Sequence, residues 1–135
     1  MTTNIEVVQA LYAAYAGGDP DALRGRLQDD VVWREPDYQG DGGSYRGRDA
    51  VVAHLFEGEP LVDDYRLDVV DMLASEQRVA IVATTSGTRN GRPVSNDFVQ
   101  VIRVDGGKVC EVRNYLWDPQ GLRDAMAPAT ETAGA

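Results

Sequence analysis

Val31-Val32-Trp33-Arg34-Glu35-Pro36 is a short apolar run that ends on a carboxylate and a proline. Two valines and a tryptophan suit a pleated, half-buried strand. Pro36 brings a fixed φ and no backbone N–H, so the strand stops there and the chain turns. Glu35 is thereby placed beside Trp33 where a strand leaves the core. A carboxylate in an apolar cleft holds its proton more tightly than one in water, which is what general acid–base chemistry near neutral pH needs. The same six residues are also compatible with a solvated loop glutamate, so the surrounding elements have to decide.

Upstream, Thr3-Asn4-Ile5-Glu6 has the form of a capping box. Ile5, Val8, Leu11, Tyr12 and Tyr15 then recur at helical spacing, and Gly17-Gly18 ends the helix. Asp19-Pro20 opens a second, short helix over residues 21–27. Downstream, the loop 36–45 carries Gly40, Gly42 and Gly43 and is expected to move, as a lid would. Gly47-Arg48-Asp49-Ala50-Val51 starts a third helix, 48–57, with Val51, Val52, Leu55 and Phe56 as its buried side and Gly58-Glu59-Pro60 as its stop. From Tyr65 the pattern changes to period two, giving strands over 65–73, 79–88, 94–104 and 108–117. Asn90-Gly91 and Asp105-Gly106-Gly107 are tight hairpin turns between them. Asp118-Pro119 caps a last helical turn, 120–126, and the small, polar tail 128–135 is expected to be disordered. No repeat or second domain is visible, so one domain over 1–127 is expected. Three helices and a strand followed by a long antiparallel sheet make an α+β fold, the helices covering one face. A strongly bent sheet with helices across its mouth would leave a cone-shaped cavity.

Composition narrows the function. The chain has 135 residues, 43% of them hydrophobic and 26% charged, which suits a globular domain with a real core. A net charge of −9 repels phosphate backbones and anionic membranes, so neither nucleic acid nor a membrane is expected as a partner. The single cysteine, Cys110, excludes an intrachain disulfide and, within an apolar strand pattern, reads as a buried, inert thiol. The single histidine, His54, excludes a multi-histidine metal centre, and no metal or cofactor is expected. The N-terminal residues lack the basic and apolar regions of a signal peptide, and no apolar stretch approaches the ~20 residues of a membrane span. A cytoplasmic location is the default expectation.

Several local patterns together resemble the nuclear transport factor 2-like superfamily, in its ketosteroid isomerase and SnoaL-like cyclase branches. They are Tyr15-Ala16-Gly17-Gly18-Asp19 at the end of the first helix, Trp33-Arg34-Glu35-Pro36, and Tyr45-Arg46-Gly47-Arg48-Asp49 at a helix start. Asp105-Gly106-Gly107-Lys108-Val109 with Arg113-Asn114-Tyr115 is similar to the family's final hairpin. The resemblance spans residues 4–118 and implies the cone-shaped fold. It also implies that Glu35 stands where ketosteroid isomerases hold an aspartate base, Gln100 where they hold a protonated aspartate, and Leu11 where they hold the oxyanion tyrosine. Asn114 stands where SnoaL-like cyclases and limonene epoxide hydrolases often hold an aspartate, and the hydrolases' arginine-x-aspartate pair has no counterpart near Arg78-Val79-Ala80. Tyr12 or Tyr15 could replace the missing oxyanion tyrosine if the helix presents one of them inward.

Strand alternation sorts the rest. Asn96, Phe98, Gln100 and Ile102 share one face of the third long strand, which the resemblance favours as the inner one; Cys110, Val112, Asn114 and Leu116 read as the inner face of the last. The expected catalytic set is Glu35 as base, with Gln100, Asn96 and Asn114 as amide partners and His54 beside the carboxylate or a substrate. Trp33, Phe98, Tyr15, Leu55 and Leu116 would line the substrate cavity. Two functions fit. One is a cofactor-independent enzyme that cyclises or isomerises a small hydrophobic, polyketide-like carbonyl compound, or opens an epoxide or dehydrates in the same pocket. The other is a dimeric module that binds a small molecule without chemistry. Arg113, Tyr115 and Trp117 fall on the outer face, where exposed aromatic residues suggest contact with a second copy of the chain.

Overall fold

The computed structural model describes residues 3–36, 43–57 and 62–126. In chain order its elements are α1 (Asn4–Ala16), α2 (Pro20–Arg24), β1 (Leu27–Arg34), β2 (Ser44–Arg46), α3 (Arg48–Phe56), β3 (Asp63–Ala74), β4 (Arg78–Arg89), β5 (Arg92–Asp105), β6 (Lys108–Leu116) and α4 (Pro119–Met126). Thr3 and Glu6 form the capping box of α1, the Thr3 hydroxyl accepting from Glu6 N at 3.1 Å. Asp19 caps α2 through Ala22 N at 3.1 Å, with Pro20 at the first helical position. Asp118 accepts from Gly121 N at 2.8 Å at the start of α4. Each side chain satisfies a backbone N–H that the helix itself cannot.

All six strands form one sheet in the order β2-β1-β6-β5-β4-β3. From β3 to β6 it is an antiparallel meander. Its two sharpest turns are two-residue loops with positive φ at both positions, Asn90 (53°) with Gly91 (77°) and Gly106 (60°) with Gly107 (77°). That geometry matches the twist of the flanking strands and favours Asn and Gly.

The sheet departs from the expected all-antiparallel arrangement in one respect: β1 runs parallel to β6, with Trp33 opposite Val112 and Arg34 opposite Arg113. No hairpin links these two strands. The chain passes through α3 and four strands before β6 lies down beside β1, so their relative direction is not set by a turn. Two boundaries also move. β1 begins at Leu27 rather than at residue 31, taking in the polar Gln28, Asp29 and Asp30, and α2 ends at Arg24 against Gly25. The three-residue β2 pairs antiparallel with β1, Tyr45 facing Trp33; it is too short to show an alternation in sequence. Three helices lie in the N-terminal half and the fourth follows β6. The glycine-rich loop positions 37–42, the expected helix stop Gly58-Glu59-Pro60 and the tail 128–135 lie outside the described residues.

The core lies between the helices and one face of the sheet. Val8 and Leu11 of α1, Leu23 of α2 and Val51 of α3 are buried against Val31, Ile81 and Ile102 of the strands. Each fully buried aliphatic side chain contributes about 1.5–3 kcal/mol. Asn96, Gln100 and Ile102 of β5 are on the buried face, as alternation requires, with Phe98 packed against the core. Cys110 is buried; its thiol donates to the Arg103 carbonyl at 3.3 Å, and burial pushes the thiol up from its ordinary value. Among the described residues no helix is long and apolar enough to cross a membrane.

Candidate active site

Glu35 is the residue after β1 and lies two positions beyond the buried Trp33, on the same face. Its backbone N–H donates to the Gly43 carbonyl at 2.6 Å, which ties it to the strand returning toward β2. His54 comes from α3. Val51 and Val52 are buried against the core and fix the rotation of that helix, which turns His54 toward the end of β1. His54 Nε2 and Glu35 Oε2 are 2.6 Å apart, with only 20% and 22% of the two side chains exposed. Tyr45, brought in by β2, lies flat on the imidazole at 3.8 Å between ring centres and 13° between planes. The carboxylate therefore belongs to a dyad, with the imidazole packed in place from behind.

A second set of polar groups reaches the same strand end. The Tyr12 hydroxyl on α1 donates to Gln100 Oε1 at 2.7 Å, Gln100 Nε2 donates to Asn114 Oδ1 at 2.8 Å, and Asn114 Nδ2 donates to the Arg34 carbonyl at 3.2 Å. Gln100 and Asn114 face each other across β5 and β6. Tyr15, one turn after Tyr12, packs on Phe56 of α3 with ring centres 5.8 Å apart. Burial first, and the Glu35 carboxylate second, push the Tyr15 hydroxyl up. Tyr65 on β3 is pushed up to about 12 by burial, by Tyr15 and by Glu35. Burial and Tyr65 likewise raise Tyr12. Near neutral pH all three hydroxyls are therefore protonated, and each is a possible hydrogen-bond donor.

Of the expected site residues, the structure joins Glu35 to His54 and Gln100 to Asn114. Trp33 lies on their face, buried, its Nε1 without a hydrogen-bond partner among the described residues. Asn96 is engaged elsewhere. Its Nδ2 donates to the Asp118 carbonyl at 2.8 Å and its Oδ1 accepts from Asp118 N at 3.2 Å, so it clamps β5 to the chain leaving β6. Four residues along the strand, roughly 13 Å, separate it from Gln100. Phe98 and Leu116 pair across β5 and β6 between these two positions, and Leu55 packs against the core. Tyr45 and Tyr65 were not among the expected site residues, and Tyr12 entered only as an alternative to Tyr15 for the missing oxyanion tyrosine. Tyr12 carried a readable signal, because a tyrosine at a buried helical position needs a partner for its hydroxyl. Tyr45 and Tyr65 carried none.

A recess of about 350 Å³ opens at this strand end, lined by Arg34, Glu35, Pro36, Arg113, Asn114 and Tyr115. Glu35 and Asn114 belong to the inner face, and Arg34, Arg113 and Tyr115 to the outer one, so the recess runs over the edge where β1 and β6 finish. On the outer face Glu111 lies between Arg34 at 3.4 Å and Arg113 at 3.2 Å.

Residues 8–112 match the model of the SnoaL-like domain. No curated protein matches the chain. Among solved structures, a nuclear transport factor 2-like protein from Burkholderia thailandensis is 28% identical with a TM-score of 0.79, the match covering 95% of this chain and 100% of that one. A nuclear transport factor 2-like protein of unknown function from Burkholderia pseudomallei is 25% identical with a TM-score of 0.80, over the same shares of the two chains. A protein of ketosteroid isomerase-like fold from Catenulispora acidiphila, in complex with trimethylamine, is 20% identical with a TM-score of 0.68, over 84% of this chain and 86% of that one; at this identity the likeness concerns the fold alone. The same overall fold thus recurs in solved structures, and the family model spans most of the 135 residues: the chain belongs to the SnoaL-like domain family of the nuclear transport factor 2-like superfamily.

Proposed function

We propose that the protein is a cofactor-independent acid–base enzyme acting on a small hydrophobic carbonyl compound, with Glu35 as the base. The observation that carries this reading is the 2.6 Å contact between Glu35 Oε2 and His54 Nε2 in a partly buried setting beside raised tyrosine hydroxyls. With Glu35 ionised, His54 Nε2–H donates to Oε2 and fixes the carboxylate, leaving Oε1 to take a proton from the carbon next to a carbonyl. The negative charge that develops on the carbonyl oxygen needs a donor aimed at it, and one well-placed donor contributes about 3 kcal/mol to the transition state. Tyr15 and Tyr65 are neutral and close enough to feel the Glu35 charge, so they suit that role. The half-buried Phe98 and Leu116 would supply apolar surface for the ligand on the inner face, with Trp33 and Leu55 packed in and against the core behind them. Aldol-type cyclisation, double-bond isomerisation and dehydration next to a carbonyl begin with such a proton transfer, whereas in epoxide opening Glu35 would take the proton of a hydroxyl nucleophile as the ring C–O bond breaks; the SnoaL-like family favours cyclisation of a polyketide-like substrate.

The reading is tested with the wild-type protein in D2O and a panel of cyclic ketones and 1,3-diketones. Deuterium should enter the carbon next to the carbonyl of at least one compound faster than in buffer. Saturable binding of panel members with no exchange would instead favour a binding module.

We propose in addition that two copies associate through the outer sheet face around Arg113, Tyr115 and Trp117. Tyr115 is 52% and Trp117 84% exposed, a degree of aromatic exposure that a lone sheet face rarely carries without a partner.

A further inference from the structure

The peptide unit joining Arg34 to Glu35 is gripped on both edges. Its carbonyl accepts from Asn114 Nδ2 at 3.2 Å, and its N–H donates to the Gly43 carbonyl at 2.6 Å. The grip on the carbonyl extends through Asn114 and Gln100 to the Tyr12 hydroxyl on α1. One end of this relay fixes the direction of every bond in it. The Arg34 carbonyl can only accept, so Asn114 must turn its N–H to it and its oxygen to Gln100. Gln100 must then present its N–H to Asn114 and its oxygen to Tyr12, and Tyr12 must donate. Gln100 is only 6% exposed. A primary amide buried this deeply destabilises the fold unless its partners are held in place, and a chain of such bonds polarises and stiffens along its length.

We propose that Tyr12, Gln100 and Asn114 are positioning residues for Glu35. They lock the peptide plane that carries the carboxylate, and with it the angle at which Glu35 meets His54 and a substrate. The proposal rests on Glu35 being the base. It gives the two amides the task of holding that base, in place of touching the substrate oxygen. Tyr12 suits the terminal donor position because its burial keeps the hydroxyl protonated.

The chain has one histidine, so the imidazole nitrogen resonances of His54 can be read by ¹⁵N NMR without ambiguity. They should be compared in the wild type and in Tyr12→Phe, Asn114→Asp, Glu35→Gln and Val8→Ala. Tyr12→Phe removes only the first donor. Asn114→Asp keeps the shape and removes the last. Both should move the His54 signals part of the way from the wild-type values toward those of Glu35→Gln. Val8→Ala lies on the same helix, fully buried and outside the relay, and should lower the melting temperature without moving them. Wild-type His54 signals in both relay variants, or an equal displacement in Val8→Ala, would overturn the proposal. A Glu35→Gln spectrum identical to the wild type would mean that the dyad does not form in solution; that result removes the reading of Glu35 as base, and the proposal falls with it.

Discussion

The tyrosines around Glu35 show how a modest change of surroundings alters an ordinary side chain. Tyr65 is the clearest case, because burial, Tyr15 and Glu35 all act in one direction and push it up to about 12. The sign of the consequence follows from linkage. Above the ordinary value of 10 the unfolded chain gives up this proton, while the folded chain keeps it until about 12. Stability contributed by Tyr65 is thus present below pH 10 and is lost as pH rises through that window. Tyr65→Phe should make the alkaline decline in melting temperature shallower, by a modest amount because the residue is half exposed and solvent screens it. An unchanged decline would contradict the assignment. Sequence made Glu35 and His54 legible as possible partners, since one ends an apolar strand and the other sits among buried helical residues. It left open which of Tyr12 and Tyr15 turns inward, because helical spacing gives a face without giving its rotation about the core. The structure gives Tyr12 a buried acceptor and leaves Tyr15 at the rim against Phe56.

At the scale of elements, the site depends on the parallel β1–β6 pair, which brings Asn114 under Arg34 and Glu35 to the edge. Glu111 bridges the two strands on the outer face. Burial works to raise its carboxyl, but hydrogen bonds and charge from Arg113 and Arg34 outweigh burial and hold it below the ordinary carboxylate range. Such a depressed group stabilises the fold above the ordinary carboxylate range, and the contribution is lost as pH falls through the lowered value. Glu111→Gln should therefore cost about 1 kcal/mol or less at neutral pH, with the difference from wild type vanishing in acid; denaturant titrations at the two pH values check both halves. A second element-scale test concerns Gly87 on β4. A Cβ there would stand 2.7 Å from the Asp63 carbonyl oxygen and 2.7 Å from Val62 Cγ2. The backbone oxygen cannot yield without moving β3, so Gly87→Ala should cost about 1–3 kcal/mol, and a neutral result would show that β3 is less firmly seated than its pairing implies. Hairpins and caps were legible because Asn90-Gly91, Gly106-Gly107, Thr3 and Asp19 act through short-range backbone chemistry. The parallel pairing and β2 were not, because period-two patterning identifies a strand without naming its neighbour or direction.

For the molecule as a whole, the outer sheet face with its exposed Tyr115 and Trp117 is the surface proposed to meet a second copy. Sedimentation velocity should show a concentration-dependent dimer that Tyr115→Glu converts to monomer; a wild-type monomer at all concentrations would contradict the proposed association. The fold class was legible from element order, whereas the proposed activity rests on a contact between two residues 19 positions apart in sequence. The central claim, that Glu35 removes a proton from carbon, is tested most directly by the deuterium exchange rate of Glu35→Gln beside that of the wild type on the same ketone. The substitution keeps the side chain's shape and removes its basicity. The account predicts a loss of about 10²–10⁴-fold with an unchanged melting temperature, and an exchange rate equal to the wild type's would contradict it.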